Sequence, residues 1–129
     1  DNFFIIKDGV VITPEGRNIL RGISREYVLE ELCPQLGIPI VEKNIEAYDV
    51  YTADEAFMTG TPFSMLPVTA LNGNSIGTGK VGEIFQKIIG RWSENTGVDI
   101  VKQIQIWDAN RDPLANGVNA PTPYRFKTK

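Results

Sequence analysis

Two apolar runs, Phe3-Phe4-Ile5-Ile6-Lys7 and Val10-Val11-Ile12, flank Asp8-Gly9 and together predict a β-hairpin. Asp-Gly supplies the positive φ angles that a tight two-residue turn requires. Thr13-Pro14-Glu15-Gly16 is turn chemistry that ends the hairpin. A helix is predicted from Ser24 to Leu36, with Val28, Leu29, Leu32 and Leu36 on one face and Gly37 where it stops. Pro34 lacks the N–H that would bond back to Glu30, which predicts a kink or a loose final turn. Further strands are predicted over 38–42, Glu55–Met58 and Leu66–Leu71, with a helical turn or two between Ile45 and Tyr51. Asn72-Gly73-Asn74 reads as another tight turn.

Val81, Ile84, Phe85, Ile88, Ile89 and Trp92 fall on one helical stripe, closed by Gly97. A last helix is predicted over Ile100–Trp107. Strands mixed with helices point to an α/β or α+β domain, a sheet covered by two main helices. The chain divides into a domain over residues 1–109 and a loop or arm over 110–129, where Pro113, Gly117, Pro121 and Pro123 accumulate.

The 129 residues are enough for one domain with a real core. At 42% hydrophobic, with no apolar run approaching a bilayer span, the chain reads as neither disordered nor membrane-embedded. A net charge of −3 argues against nucleic acid as the main partner. The single cysteine, Cys33, cannot form an internal disulfide and fits a reducing compartment, so a cytoplasmic protein is expected. Without histidine there is no Ser-His or Cys-His dyad and no imidazole metal ligand; no metal site is expected. The start at Asp1, with an apolar strand following almost at once, is read as a truncation or a partial reading frame.

Two short segments carry possible chemistry. Gly22-Ile23-Ser24 opens a helix, where unpaired N–H groups and the helix dipole favour an anion; Ser24 as an ordinary N-cap is the simpler reading of the spacing. Gly60-Thr61 follows a strand and reads first as a turn. Phe57, Phe63 and Met65 read as core. Arg21 and Arg25 are possible anion holders, but surface arginines paired with Glu26 and nearby acids are the commoner case. Asp54-Glu55 is an adjacent acid pair, read as the capped entrance of a strand in preference to paired-carboxylate catalysis.

Taken as a set and in order, these segments resemble the pyridoxal-phosphate enzymes of fold type IV, the class IV aminotransferases. Asn2 to Val10 is similar to that family's strand-turn-strand, and Leu20-Arg21-Gly22-Ile23-Ser24-Arg25 to its Leu-x-Gly-Ile-Thr-Arg. Leu36-Gly37-Ile38, Ala53 to Thr61, Pro67-Val68, Asn72-Gly73 and Ile76-Gly77-x-Gly79 match later landmarks, so the resemblance covers roughly residues 1 to 98. It implies a mixed sheet packed by two main helices, like the C-terminal domain of D-amino-acid aminotransferase-like enzymes, and pyridoxal 5'-phosphate as cofactor.

Position by position, the resemblance implies that Leu20 packs on the pyridine ring. The backbone N–H groups of Ile23 and Ser24, with the Ser24 hydroxyl, bind the phosphate. Gly22 and Gly60 give backbone access, and Thr61 adds a contact. Pro62 stands where branched-chain aminotransferases commonly use an alanine N–H for the substrate carboxylate, and Ser64 where they often carry glutamate. The family's cofactor-bonding lysine and its pyridine-pairing acid are expected upstream of Asp1, and none of the chain's lysines matches the motif. The function implied is therefore a C-terminal portion of a transaminase exchanging amino groups between an amino acid, branched-chain ones included, and a 2-oxo acid, inactive alone. An aminodeoxychorismate lyase-type fragment and a non-catalytic anion-binding or dimerisation module are the alternatives. A homodimer or higher oligomer is expected, associating through apolar surface near Phe3, Phe4 and Ile5.

Overall fold

The hairpin forms where Asp8-Gly9 predicts it. β1 (Asn2–Lys7) and β2 (Val10–Thr13) pair antiparallel, Ile6 opposite Val11, and the turn residues take φ of 51° and 79°. The computed structural model describes residues 1–16, 22–60 and 63–109 of the protein. β3 (Ile40–Glu42) adds to β2 in parallel; β4 (Glu55–Gly60) and β5 (Ser64–Val68) extend the other side antiparallel. The result is a mixed five-stranded sheet in the order β3-β2-β1-β4-β5.

β1 is thus the centre of the sheet, with Phe4 and Ile5 only 0% and 2% exposed. This corrects the expectation of an apolar N-terminal strand open to a partner. Both of its backbone edges are used by β2 and β4, and its apolar side chains are packed in the core.

One helical run covers a face of the sheet. α1 (Ile23–Tyr27) passes into a π-helical turn, Val28–Leu32, and then α2 (Cys33–Leu36), ending at Gly37 with φ 68°. The irregularity expected at Pro34 appears just before it. A proline ring crowds the carbonyl four residues back and offers no N–H, and the ladder widens, Cys33 N–H bonding to Val28 O. α4 (Glu83–Thr96) follows its predicted stripe and stops at Gly97 with φ 71°. With Ile100 of α5 (Ile100–Ala109), these helices bury Val28, Leu29, Leu32, Phe85 and Ile88 against Phe4, Ile6, Val11, Phe57 and Met65. Phe4 and Phe57 stack with ring centroids 4.6 Å apart.

The opposite face buries Ile5, Ile12 and Ala56 under Val50 of α3 (Ala47–Tyr51), Ala53 and Ile76. The predicted strand Leu66–Leu71 is divided at Thr69. Its end, β6 (Ala70–Leu71), pairs with β7 (Asn74–Ser75) across the Asn72-Gly73 turn instead of continuing the main sheet. Among the described residues, no helix is long and apolar enough to cross a membrane. The proposed arm over 110–129 lies outside the described residues.

Candidate anion-binding site

At the Asn2 end of β1, the start of α1 meets the end of β4. Asp1, Asn2, Gly22, Ile23, Ser24, Thr59 and Gly60 line a cavity of about 160 Å³ there. The elements explain the meeting: Asn2 pairs with Thr59 in the sheet, and the helical run crosses that face. Four sequence-predicted site residues, Gly22, Ile23, Ser24 and Gly60, therefore come together. Leu20, Thr61 and Pro62, with Arg21, lie outside the described residues.

Gly22, extended at φ −96° and ψ 152°, is the N-cap, and among the described residues no side chain caps the helix. Ser24 as an ordinary N-cap is thereby corrected, because it stands inside the first turn. The first N–H groups of a helix have no carbonyl partner within it, so those of Ile23 and Ser24 are intrinsic donors for an anion. Ile23 is 90% exposed, so packing does not explain its place. A Cβ on Gly22 would lie 2.7 Å from Asn2 Oδ1, and one on Gly60 2.5 Å from Asp1 Oδ1 and 2.7 Å from Phe63 Cζ. Gly60 closes β4 opposite Ser64, and its carbonyl accepts the Phe63 N–H at 3.3 Å, so the chain turns from there as predicted.

This donor set fits a phosphate group. The cavity is well below the roughly 300–1,000 Å³ of whole-ligand pockets, so it matches the phosphate end of a cofactor and not its ring. The Asp1 carboxylate opposes an anion there.

The other charged candidates serve the fold. Arg25 is fully buried, not a surface residue: its Nη2 donates to Pro14 O at 3.0 Å and to Glu42 Oε1 at 2.5 Å, with Glu26 at 3.6 Å. Asp54 Oδ2 accepts the Asp8 N–H at 2.9 Å beside Lys7. Glu55 receives Ile84 N–H at 3.1 Å and Phe85 N–H at 2.9 Å, capping α4. The two acids thus face different elements and do not form a catalytic pair.

A family model described as amino-transferase class IV matches residues 1–71. This chain belongs to the class IV aminotransferase family. The match lies on the N-terminal part of the chain and takes in the hairpin and both halves of the cavity. The chain is 44% identical over 88 residues to the branched-chain-amino-acid aminotransferase of Pseudomonas aeruginosa, covering 68% of this chain and 28% of that protein. The fold is similar to the branched-chain amino acid aminotransferase of Escherichia coli, with TM-score 0.69 and 34% identity over 72% of this chain and 31% of that one. It is also similar to the T.th. branched-chain amino acid aminotransferase solved with pyridoxamine 5'-phosphate, with TM-score 0.68 and 31% identity over 72% and 31% of the two chains. The chain spans 28% to 31% of the length of such curated relatives.

In this class IV domain, Thr59 is a cavity residue that the sequence reading misses. The sequence ends the strand at Met58 and puts Thr59 in the approach to a Gly60-Thr61 turn. It is instead a strand residue facing the cavity and only 1% exposed. The available signal is the alternation of β4: Phe57 is core, so Thr59, two residues on, shares its face.

Proposed function

We propose that this chain forms the phosphate-holding side of a pyridoxal 5'-phosphate site in a transaminase. The reaction exchanges an amino group between an amino acid, branched-chain ones included, and a 2-oxo acid. The observation that carries this reading is the cavity in which Gly22, Ile23, Ser24 and Gly60 converge at an uncapped helix start. Family membership supports it. When bound, the cofactor supplies the electron sink for the amino-group exchange.

The chain's own part is to hold and orient. Ile23 and Ser24 N–H groups and the Ser24 hydroxyl grip the phosphate, Gly22 and Gly60 keep the walls close, and Thr61 adds a donor. Leu20 supports the ring. Anchoring one end of a flat molecule fixes where its other end sits, which is the orientation component of catalysis. Pro62 brings no N–H to a substrate carboxylate, so that carboxylate takes its donor elsewhere. As the family resemblance implies, the reading is of a cytoplasmic, homodimeric enzyme.

Equilibrium dialysis of the 129-residue chain against pyridoxal 5'-phosphate and against pyridoxal tests the cup. Only the phosphorylated form is expected to bind, and Ser24→Ala is expected to weaken it by about 1.5–3 kcal/mol, the worth of a charge-assisted hydrogen bond. Equal binding of both forms, or no binding, rejects the reading. Among the described residues no lysine lines the cavity, so this chain alone is expected to show no amino transfer. Turnover, with one lysine labelled stoichiometrically after borohydride reduction, would overturn that and leave the cup standing.

A further inference from the structure

Two threonines are fully shielded in the sheet, and they differ in one respect. Thr13 Oγ1 donates to Phe3 O at 2.8 Å. Thr59 is 1% exposed, and among the described residues its Oγ1 has no hydrogen-bond partner. A buried hydroxyl without a partner is uncommon and requires an explanation. Packing does not provide one, because valine has the same branched shape, equal strand preference and no polar atom to bury.

The position of Thr59 does provide one. Its side chain is on the same face as Asn2 and Met65, its direct partners in β1 and β5. It lines the cavity together with Gly22, Ile23 and Ser24. The uncapped helix start supplies donors along one wall, and Thr59, whose hydroxyl is shielded, belongs to the wall built by β4. Arg25, the other shielded polar side chain near this helix start, turns its guanidinium to Pro14 and Glu42 and does not line the cavity.

We infer that Thr59 is a phosphate ligand: its hydroxyl donates a hydrogen bond to a phosphate group seated on the N–H groups that open α1. This deepens the cup reading above and rests on it. The ligand class is a phosphate monoester or inorganic phosphate, and the chemistry needed is one oxygen reaching the floor of the cavity. A hydroxyl held in a rigid strand loses little entropy on binding, and its bond to a charged oxygen is of the stronger kind.

The test titrates inorganic phosphate, pyridoxal 5'-phosphate and pyridoxal into the unchanged chain and into Thr59→Val, Thr59→Ser and Ser24→Ala. Backbone amide shifts give the affinities, and thermal unfolding without ligand gives the fold. Thr59→Val is expected to bind both phosphate-bearing probes roughly tenfold more weakly while melting no lower than the unchanged chain. Thr59→Ser, which restores the hydroxyl, is expected to recover most of the loss, and pyridoxal is expected to shift none of these amides. If Thr59→Val binds like the unchanged chain while Ser24→Ala weakens, the cup stands and the role of Thr59 is overturned. If Thr59→Ser binds as weakly as Thr59→Val, restoring the hydroxyl restores nothing, and the inference again fails. If the unchanged chain binds neither phosphate-bearing probe, the inference and the cup reading fall together.

Discussion

Cys33 closes the π-helical turn with no exposed surface, and burial pushes its thiol up from 9.0 to about 11. The folded state therefore favours the neutral thiol, and the sign follows from which state holds the proton. Below about pH 9 the thiol is protonated whether folded or not, and the stabilising difference is fully present. Between about 9 and 11 the unfolded chain loses the proton first, so stability falls as pH rises through that window. The expected loss is up to about 2–3 kcal/mol, read as the urea midpoint at pH 8 against pH 11 and compared with Cys33→Ala, which cancels the contribution of lysines and tyrosines common to both. Identical alkaline slopes in the two proteins would refute it. Single residues are unevenly legible in the sequence. Gly37 and Gly97 are readable as helix stops because a left-handed stop needs little beyond its own segment. Arg25 is not, since a surface arginine and a buried one have the same local sequence. What buries it is Pro14 O and the Glu42 carboxylate, brought from the end of β2 and from β3 by the fold.

Among the elements, α4 starts without a capping side chain from its own sequence, and its first N–H groups are served by Glu55 from β4. A carboxylate at this end also opposes the positive pole of the helix. Gly82, the N-cap, gives that carboxylate room: a Cβ there would approach Glu55 Cδ within 1.9 Å. These two facts predict coupled substitutions. Glu55→Ala is expected to cost about 1–2 kcal/mol as a lost charged cap. Gly82→Ala is expected to cost about as much in the unchanged chain, because its Cβ displaces the capping carboxylate, and much less in the Glu55→Ala background, where the three nearest clashing atoms are gone. Denaturant titration of the four proteins gives the coupling energy, and strict additivity would show that the cap does not depend on this fit. The stripe of α4 is legible because its period is local, whereas its cap is not, because Glu55 lies 29 residues earlier. Strand ends are hidden for a similar reason. Thr59 and Gly60 belong to β4 only through pairing with Met65 and Ser64, and Leu66–Leu71 divides because Ala70 finds Ser75 instead of the main sheet.

For the molecule as a whole, the sequence specifies the class, a mixed sheet under helices, but not the order of strands. The hairpin is visible from its turn, yet the placing of β1 between β2 and β4 rests on pairs such as Phe4 with Phe57, far apart in the chain. That central place changes what the N-terminal strand can be used to test. A charge at Phe4 enters the core, so Phe4→Lys reports on folding and not on association. It also ties the two cores together. Phe4 and Ile6 belong to the cluster beneath α4, while Ile5 belongs to the cluster beneath α3. Alternate side chains of one strand point to opposite faces, so neither core can loosen without disturbing the backbone ladder that carries the other. The chain is therefore expected to unfold in urea as one unit, with far-UV circular dichroism and tryptophan fluorescence giving coincident curves. Ile5→Ala is expected to cost about 2–5 kcal/mol and Phe4→Ala about 3–5 kcal/mol, each moving both signals together. Trp92 packs against the α4-side cluster and not the other, so Ile5→Ala is the sharper of the two variants when both are made in a Trp107→Phe background that leaves Trp92 as the single tryptophan. A fluorescence midpoint that stays fixed while the circular dichroism midpoint falls would mean the two faces unfold independently, and that the central strand does not couple them.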